Sequence, residues 1–236
     1  MTEQILLCIP TVTQYDLCIK ELQSAEAGTL KPSYVIIDNG GNFMQRMLAI
    51  DPTLPDQKVN VINFGKNLGC ASSWNIFLKE YPPESICIIA NDDLTFESDA
   101  IEHLIDCYNQ HKDNPSVGMI TLHGINAHSH YCCFIVTKTA IEKVGYFDET
   151  FYPAYYEDCD YDYRLRLAGL TTIFADKGIY HHVGSATHKA LTPEQLEEHH
   201  KNFTKNKNYY EAKWGGELYA EKFTIPFGVD TNNCPQ

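Results

Sequence analysis

Several familiar signatures are missing from this chain. Neither a P-loop nor a GxGxxG fingerprint occurs in its 236 residues, so neither glycine-rich mode of phosphate binding is supported. Its nine cysteines form no CxxC pair. They read as reduced, mostly buried thiols of a cytoplasmic protein rather than as a zinc or disulfide framework. No stretch approaches the roughly 20 apolar residues that a membrane span needs, and the opening "MTEQILLCIP" lacks the basic region of a signal peptide. Positive charge is also scarce: 18 Lys and Arg against 31 Asp and Glu give a net charge of −13, which argues against a broad nucleic-acid or anionic-membrane surface. What the chain does have is a 44% apolar fraction with 12% aromatics, ample for a large buried core.

The first half alternates short apolar runs with helical stretches. "ILLCI", "YVIID", "VNVIN" and "ICIIA" read as strands. Tyr15–Ala27, Phe43–Ile50, Cys70–Lys79 and Asp99–His111 read as helices. This order predicts an α/β fold with a mainly parallel central sheet and helices on both faces. After Asn114, "VGMITL" and "CCFIV" suggest strands, Thr139–Val144 and Glu157–Ala168 helices, and "TTIFA" and "GIYHH" a further pair of strands. A polar helix over Pro193–Trp214 and an extended tail follow. The expected organisation is a domain over 1–190 with a helical arm and tail over 191–236, packed on or near the ligand site or serving a homodimer.

Ligands of open α/β sheets bind beyond the carboxyl ends of the strands. Thr11, the "DNGG" of Asp38–Gly41, Asn63 and the "NDD" of Asn91–Asp93 all fall there. "DNGG" reads either as a turn or as a close backbone approach to a ligand. "NDD" reads either as a cap or as a pair of hard oxygen ligands for Mg²⁺ or Mn²⁺. "YHH" places His181 and His182 at another strand end, where one imidazole could complete a mixed site. "HGINAHSH" (His123, His128, His130) lacks partners at ligand spacing and reads as a polar loop rather than a zinc site. In "FYPAYYEDCDYDYRLRLAG", four acids (Glu157, Asp158, Asp160, Asp162) crowd six positions. The helix dipole accommodates one or two of them; the excess calls for a cation or a reacting hydroxyl. Tyr161 with Leu165, and Tyr163 with Leu167, would bury neighbouring faces of that helix.

Taken in order, "IPT", "IIDNGG", "NLGCASSWN", "NDD", "VGYFDETF", "YYEDCDYDYRLRLAG", "YHHVGSAT" and "YYEAKWGG" resemble the family 2 glycosyltransferases of GT-A fold, in particular the rhamnosyltransferase-like branch. The resemblance spans Ile5–Thr187 and, more faintly, reaches Phe227. It implies a single GT-A domain and a metal-dependent, inverting transfer of sugar from a UDP- or dTDP-linked donor to a glycan or small acceptor. By the same resemblance Thr11, Asp38, Asn67, Asn75 and Asp92 would line the nucleoside. Asp93 and His181 would hold Mn²⁺ or Mg²⁺, with His182 one register position away, and Asp158 would be the general base. Tyr155, Tyr156, Glu157 and Trp214 stand as acceptor-side candidates, with Tyr152 a further ring for stacking. Two departures from the family pattern are Asn-Asp-Asp in place of Asp-x-Asp, and Ser72-Ser73 in place of paired glycines. A nucleotidyltransferase and a noncatalytic nucleotide-sugar-binding module are the rival readings. "IPTVTQYD" lacks the basic, glycine-rich loop that the former would use.

Overall fold

The computed structural model describes residues 4–54, 59–81, 85–127, 129–184 and 192–229. Four strands open the chain in alternation with helices: β1 (Ile5–Thr11), α1 (Tyr15–Glu26), β2 (Ser33–Asp38), α2 (Phe43–Ile50), β3 (Val59–Ile62), α3 (Cys70–Glu80) and β4 (Ile86–Ala90). The short β5 (Leu94–Phe96), α4 (Ala100–His111), β6 (Val117–Ile125) and β7 (Cys133–Val136) come next. They are followed by α5 (Lys138–Val144), α6 (Glu157–Leu167), β8 (Thr171–His182) and α7 (Pro193–Trp214). One eight-stranded sheet results, in the order β3-β2-β1-β4-β7-β6-β8-β5. Its first four strands are mutually parallel, whereas β7 runs antiparallel to both β4 and β6. The α/β class and the mainly parallel first half stand as expected. "TTIFA" and "GIYHH" are instead a single strand, β8, which pairs with β6 across two register shifts. Gly178 lies in its middle with φ of +87°, close against the backbone of Ala100, where any other residue would be strained.

Period-two alternation splits each central strand between two cores. Leu7 and Ile9 of β1 and Ile36 of β2 face the layer of α1, α2 and α4. Leu6, Cys8, Val35 and Ile37 face the layer of α3, α5 and α6. Tyr161 and Leu165 of α6 join that second core, while Tyr163 turns to a third cluster with Phe151, Tyr210 and Trp214. Leu167, expected on the buried face, is exposed. α7 therefore packs on α6, and a Thr192–Gln195 capping box starts it. No helix among the described residues is long and apolar enough to cross a membrane. The last residues of the expected tail, 230–236, lie outside the described residues, as do His128, Ser185 and Thr187.

Candidate active site

The carboxyl ends of β1, β2 and β4 bring the first group of candidates to one edge. The Thr11 hydroxyl donates to Asp92 Oδ2 at 2.7 Å. Burial lifts the Asp92 carboxyl to about 6, opposed by the Thr11 bond and reinforced by neighbouring Asp93. Asp38 closes its own turn: Oδ1 accepts from the Gly41 N–H at 2.8 Å and the Tyr15 hydroxyl at 3.2 Å, and Oδ2 accepts from the Phe43 N–H at 2.9 Å. Its acceptor capacity thus goes to shaping the "DNGG" loop. Gly40 is required there, because a Cβ would lie 1.8 Å from the Val12 carbonyl oxygen. Asn67 likewise accepts from the Gly69 N–H at 2.8 Å, within its own turn.

Asn75 is placed differently from the sequence expectation. It is buried in α3, donates to the Phe147 carbonyl and Glu149, and accepts the Phe147 N–H. Its amide pins the 147–149 loop and does not face the sheet edge. Asn39 does the tying at that edge. Its Oδ1 accepts the Leu68 N–H at 2.8 Å and its amide donates to Ser73 at 3.1 Å, so Ser73 serves as a hydrogen-bonding partner where the family pattern has glycine.

The "NDD" turn leads directly into β5, which pairs antiparallel with the end of β8. That register sets which histidine reaches the acids. His182 Nε2 lies 3.0 Å from Asp93 Oδ1, and the Val183 N–H donates to the Asp93 carbonyl at 3.0 Å. His181 points to the opposite face, 3.3 Å from Glu97, and is half exposed. The partner of Asp93 is thus His182, not His181, because adjacent strand residues face opposite ways. The hydrogen bond to Asp93 raises the His182 pKa above its usual value, against the downward pull of burial.

Asp93 and His182 bring one carboxylate oxygen and one imidazole nitrogen within 3.0 Å of each other, donor types that would suit a hard divalent ion. Mg²⁺-type sites commonly use one or two protein ligands, completed by substrate phosphates and water. Asp93 and His182 fit such an ion. No cluster of three or more His, Cys, Asp or Glu side chains suited to a metal occurs among the described residues.

Opposite this edge, α6 distributes its four acids to different tasks. Glu157 is buried, and burial raises its carboxyl well above the ordinary range, with Asp158 adding to the shift. Burial thus favours the uncharged form of Glu157. Asp160, fully buried, takes Arg164 at 2.8 Å, Lys213 at 2.6 Å and the Trp214 indole N–H at 2.9 Å. Asp162 pairs with Arg166 at 3.3 Å. Asp158 has no cation within 4 Å among the described residues. Its Oδ2 accepts from the Ser129 hydroxyl at 3.2 Å and its Oδ1 from the Cys159 N–H at 2.8 Å.

Ser129 precedes a short 3₁₀ turn (His130–Cys132) that enters β7, and the Asn91 N–H donates to the Cys132 carbonyl at 2.9 Å. Asp158 is thereby bridged to the "NDD" turn. The Cys70 thiol reports the same convergence: burial raises its pKa, and Glu157, Asp92 and Asp158 all add to the rise.

Two tyrosines precede these acids with left-handed backbones, φ +77° at Tyr155 and +74° at Tyr156. Such conformations cost about 1–3 kcal/mol each in a non-glycine residue and collect at functional sites. The Tyr155 ring is exposed and meets His199 and Phe203 of α7. Tyr156 packs between Phe203 and Tyr210. Trp214, considered for the acceptor side, is buried in the α6–α7 cluster and presents no face for stacking. His123 lies in β6 stacked on Phe174, and His130 sits 3.5 Å from Asp162, so the described part of "HGINAHSH" gathers no metal set. Ser129 and the α7 contacts had no local signal in the sequence, since their partners lie tens of residues away.

No protein-family model matches the chain. Its architecture does match solved enzymes. It superposes on the mannosyltransferase PcManGT of Pyrobaculum calidifontis, solved with GDP-Man and Mn²⁺, with a TM-score of 0.62 at 12% identity over 89% of this chain and 65% of that one. The fold is GT-A-like. S. aureus TarS 1–349 in complex with UDP-GlcNAc gives a TM-score of 0.58 at 13% identity, covering 86% of this chain and 66% of that one. GalNAc-T7 with UDP, GalNAc and Mn²⁺ gives 0.62 at 10% identity, covering 89% and 50%. The chain thus spans half to two thirds of the length of these neighbours. In sequence, 53 residues are 42% identical to a galactofuranosyl glycosyltransferase of Leishmania donovani, a match covering 22% of this chain and 12% of that protein.

Proposed function

We propose that the chain is a metal-assisted, inverting glycosyltransferase of the family 2 type, moving a sugar from a UDP- or dTDP-linked donor to a hydroxyl of a glycan or small acceptor. The observation that carries the reading is the contrast within α6. Burial favours the uncharged form of Glu157, and Asp160 and Asp162 are paired with cations, while Asp158 has no cation within 4 Å among the described residues and its partner Ser129 starts the turn that leads to the Cys132–Asn91 bond. A carboxylate with no cation partner among the described residues is suited to take a proton from an attacking hydroxyl.

In this reading Thr11 and Asp92 receive the ribose, and the Asp38 turn shapes the base pocket through its backbone. A divalent ion held by Asp93 and His182 would supply Lewis acidity to the departing diphosphate. Asp158 orients the acceptor hydroxyl and accepts its proton as the oxygen attacks the anomeric carbon. With one base and no second nucleophile assigned, a single displacement with inversion is the simplest course. The arm that begins with α7 borders the acceptor side, where the Tyr155 ring is open to stack on a sugar.

The test is Asp158→Asn together with calorimetric titration of UDP-, dTDP- and GDP-sugars, with Mn²⁺ and with chelator. Binding of one nucleotide class that requires the metal is expected in both proteins. Transfer by the variant is expected to fall about 10²–10⁴-fold. Undiminished transfer by the variant would remove Asp158 from the mechanism, and the absence of metal-dependent binding across the panel would remove the donor site.

A further inference from the structure

The side chain of Asn206 on α7 is completely buried and remote in sequence from α6. Its amide nitrogen donates to the Ala154 carbonyl at 2.8 Å and to the Tyr155 carbonyl at 3.2 Å. Both facing atoms are carbonyl oxygens, which accept only, so the NH₂ must be the end that meets them. Its own Oδ1 is buried without a hydrogen-bond partner, so the amide is used for its two donors alone. Those two carbonyls belong to the segment that carries the left-handed pair Tyr155 and Tyr156. The Tyr156 carbonyl is already engaged by the first bond of α6, from the Asp160 N–H at 2.9 Å. Ala154 and Tyr155 precede the N-cap residue Tyr156, so the helix itself provides no N–H for their carbonyls. Asn206 supplies the missing donors from the neighbouring helix.

We infer that Asn206 is a positioning residue for Asp158: by holding the strained 154–156 turn it sets the direction in which α6 starts and so where the Asp158 carboxyl points. The inference rests on the role proposed for Asp158. Other contacts of α7 serve stability in general, such as Lys213 with Asp148 and Asp160, or Tyr210 with Glu221. Asn206 differs because its bonds go to backbone carbonyls within four residues of Asp158. Without its donors, both carbonyls would be desolvated and unpaired, and the turn would relax toward ordinary backbone angles.

Asn206→Asp tests this with little change of shape: it replaces the donating NH₂ by a carboxyl oxygen and so brings an ionisable group against the two carbonyls. In native-state hydrogen exchange, the amides of residues 154–160 are expected to exchange at least tenfold faster, while those of β1 and β4 keep their protection. In transfer assays kcat is expected to fall at least tenfold with the donor KM within twofold, and Asn206→Gln, which keeps an amide at a different reach, is expected to recover part of the loss. Should Asn206→Asp fail to fold, Asn206→Gln read by the same exchange measurement decides, with faster exchange again confined to 154–160. Unchanged exchange in that segment, protection lost evenly across the sheet, or a kcat equal to the wild type would overturn the assignment. The exchange measurement needs no substrate. A wild-type protein that turns over no nucleotide sugar would therefore refute the glycosyltransferase reading, while a locally loosened turn in the variant would still support the clamp.

Discussion

Lys213→Met would measure how firmly α7 is joined to α6. The Lys213 ammonium is almost wholly buried between Asp160 Oδ1 at 2.6 Å and Asp148 Oδ2 at 2.7 Å. Methionine keeps the bulk of the stem and removes the charge, so two carboxylates lose a shared cation. Asp160 retains Arg164 and Trp214; Asp148 retains the Tyr209 hydroxyl and the Thr150 N–H. Removing one partner of a buried pair costs about 3–5 kcal/mol, and the surviving partners place this case near the lower end. For a chain of this length each kcal/mol shifts Tm by about 2–4 °C, so a fall of about 6–12 °C is expected at pH 7.

The pH dependence has a definite sign. Burial pulls the Asp148 carboxyl upward, but the Lys213 and Thr150 hydrogen bonds outweigh it and leave the pKa at about 2. The unfolded value is about 3.9, so this stabilisation is complete above pH 4 and disappears as pH falls toward 2. The variant lacks most of it, so the Tm difference is full at pH 7 and narrows below pH 4. Scanning calorimetry of both proteins at pH 7, 5 and 3.5 reads the effect. A difference under 2 °C at pH 7, or one that widens in acid, would refute the reasoning.

The remaining predictions concern the site edge. His182→Ala should weaken Mn²⁺-dependent donor binding at least tenfold in calorimetry, and His181→Ala should leave it within twofold; equal effects would dissolve the pairing of Asp93 with His182. Gly40→Ala should destabilise the protein by about 1–3 kcal/mol in urea unfolding, because the new Cβ meets the Val12 carbonyl and the Tyr15 hydroxyl. A neutral result would show that the "DNGG" loop can move. Trp214→Phe should cost about 1–3 kcal/mol by leaving buried Asp160 short of a donor, with donor affinity unchanged. A loss confined to substrate affinity would return Trp214 to the acceptor side.

The sheet was legible because its strands are short apolar runs punctuated by Gly, Pro and Asp, and their carboxyl ends could be read as one edge. What escaped was decided by pairing between distant segments. β5 is three residues long and gains strand character from β8. The unity of β8 depends on two register shifts against β6, which a single strand's sequence does not encode. The choice between His181 and His182 is a matter of strand parity, fixed by where β8 meets β5. Asn75 shows the reverse limit: a polar residue inside a recognisable motif spends its amide on a loop 72 residues away.

The crowding of acids at the start of α6 now has an electrostatic account. Four carboxylates in six positions would repel one another if all were ionised and unpaired. Burial favours the uncharged form of Glu157, and the cations that follow one turn later, Arg164 and Arg166, meet Asp160 and Asp162 at i,i+4. α7 adds Lys213 from outside the helix. Each device lowers the repulsion on Asp158, which among the described residues receives the Ser129 hydroxyl, the Cys159 N–H and the Cys159 thiol. The cluster is therefore not four copies of one function: Asp160 ties α6 to α7 through Lys213 and Trp214, Asp162 pairs within α6, Glu157 is buried, and Asp158 turns to Ser129.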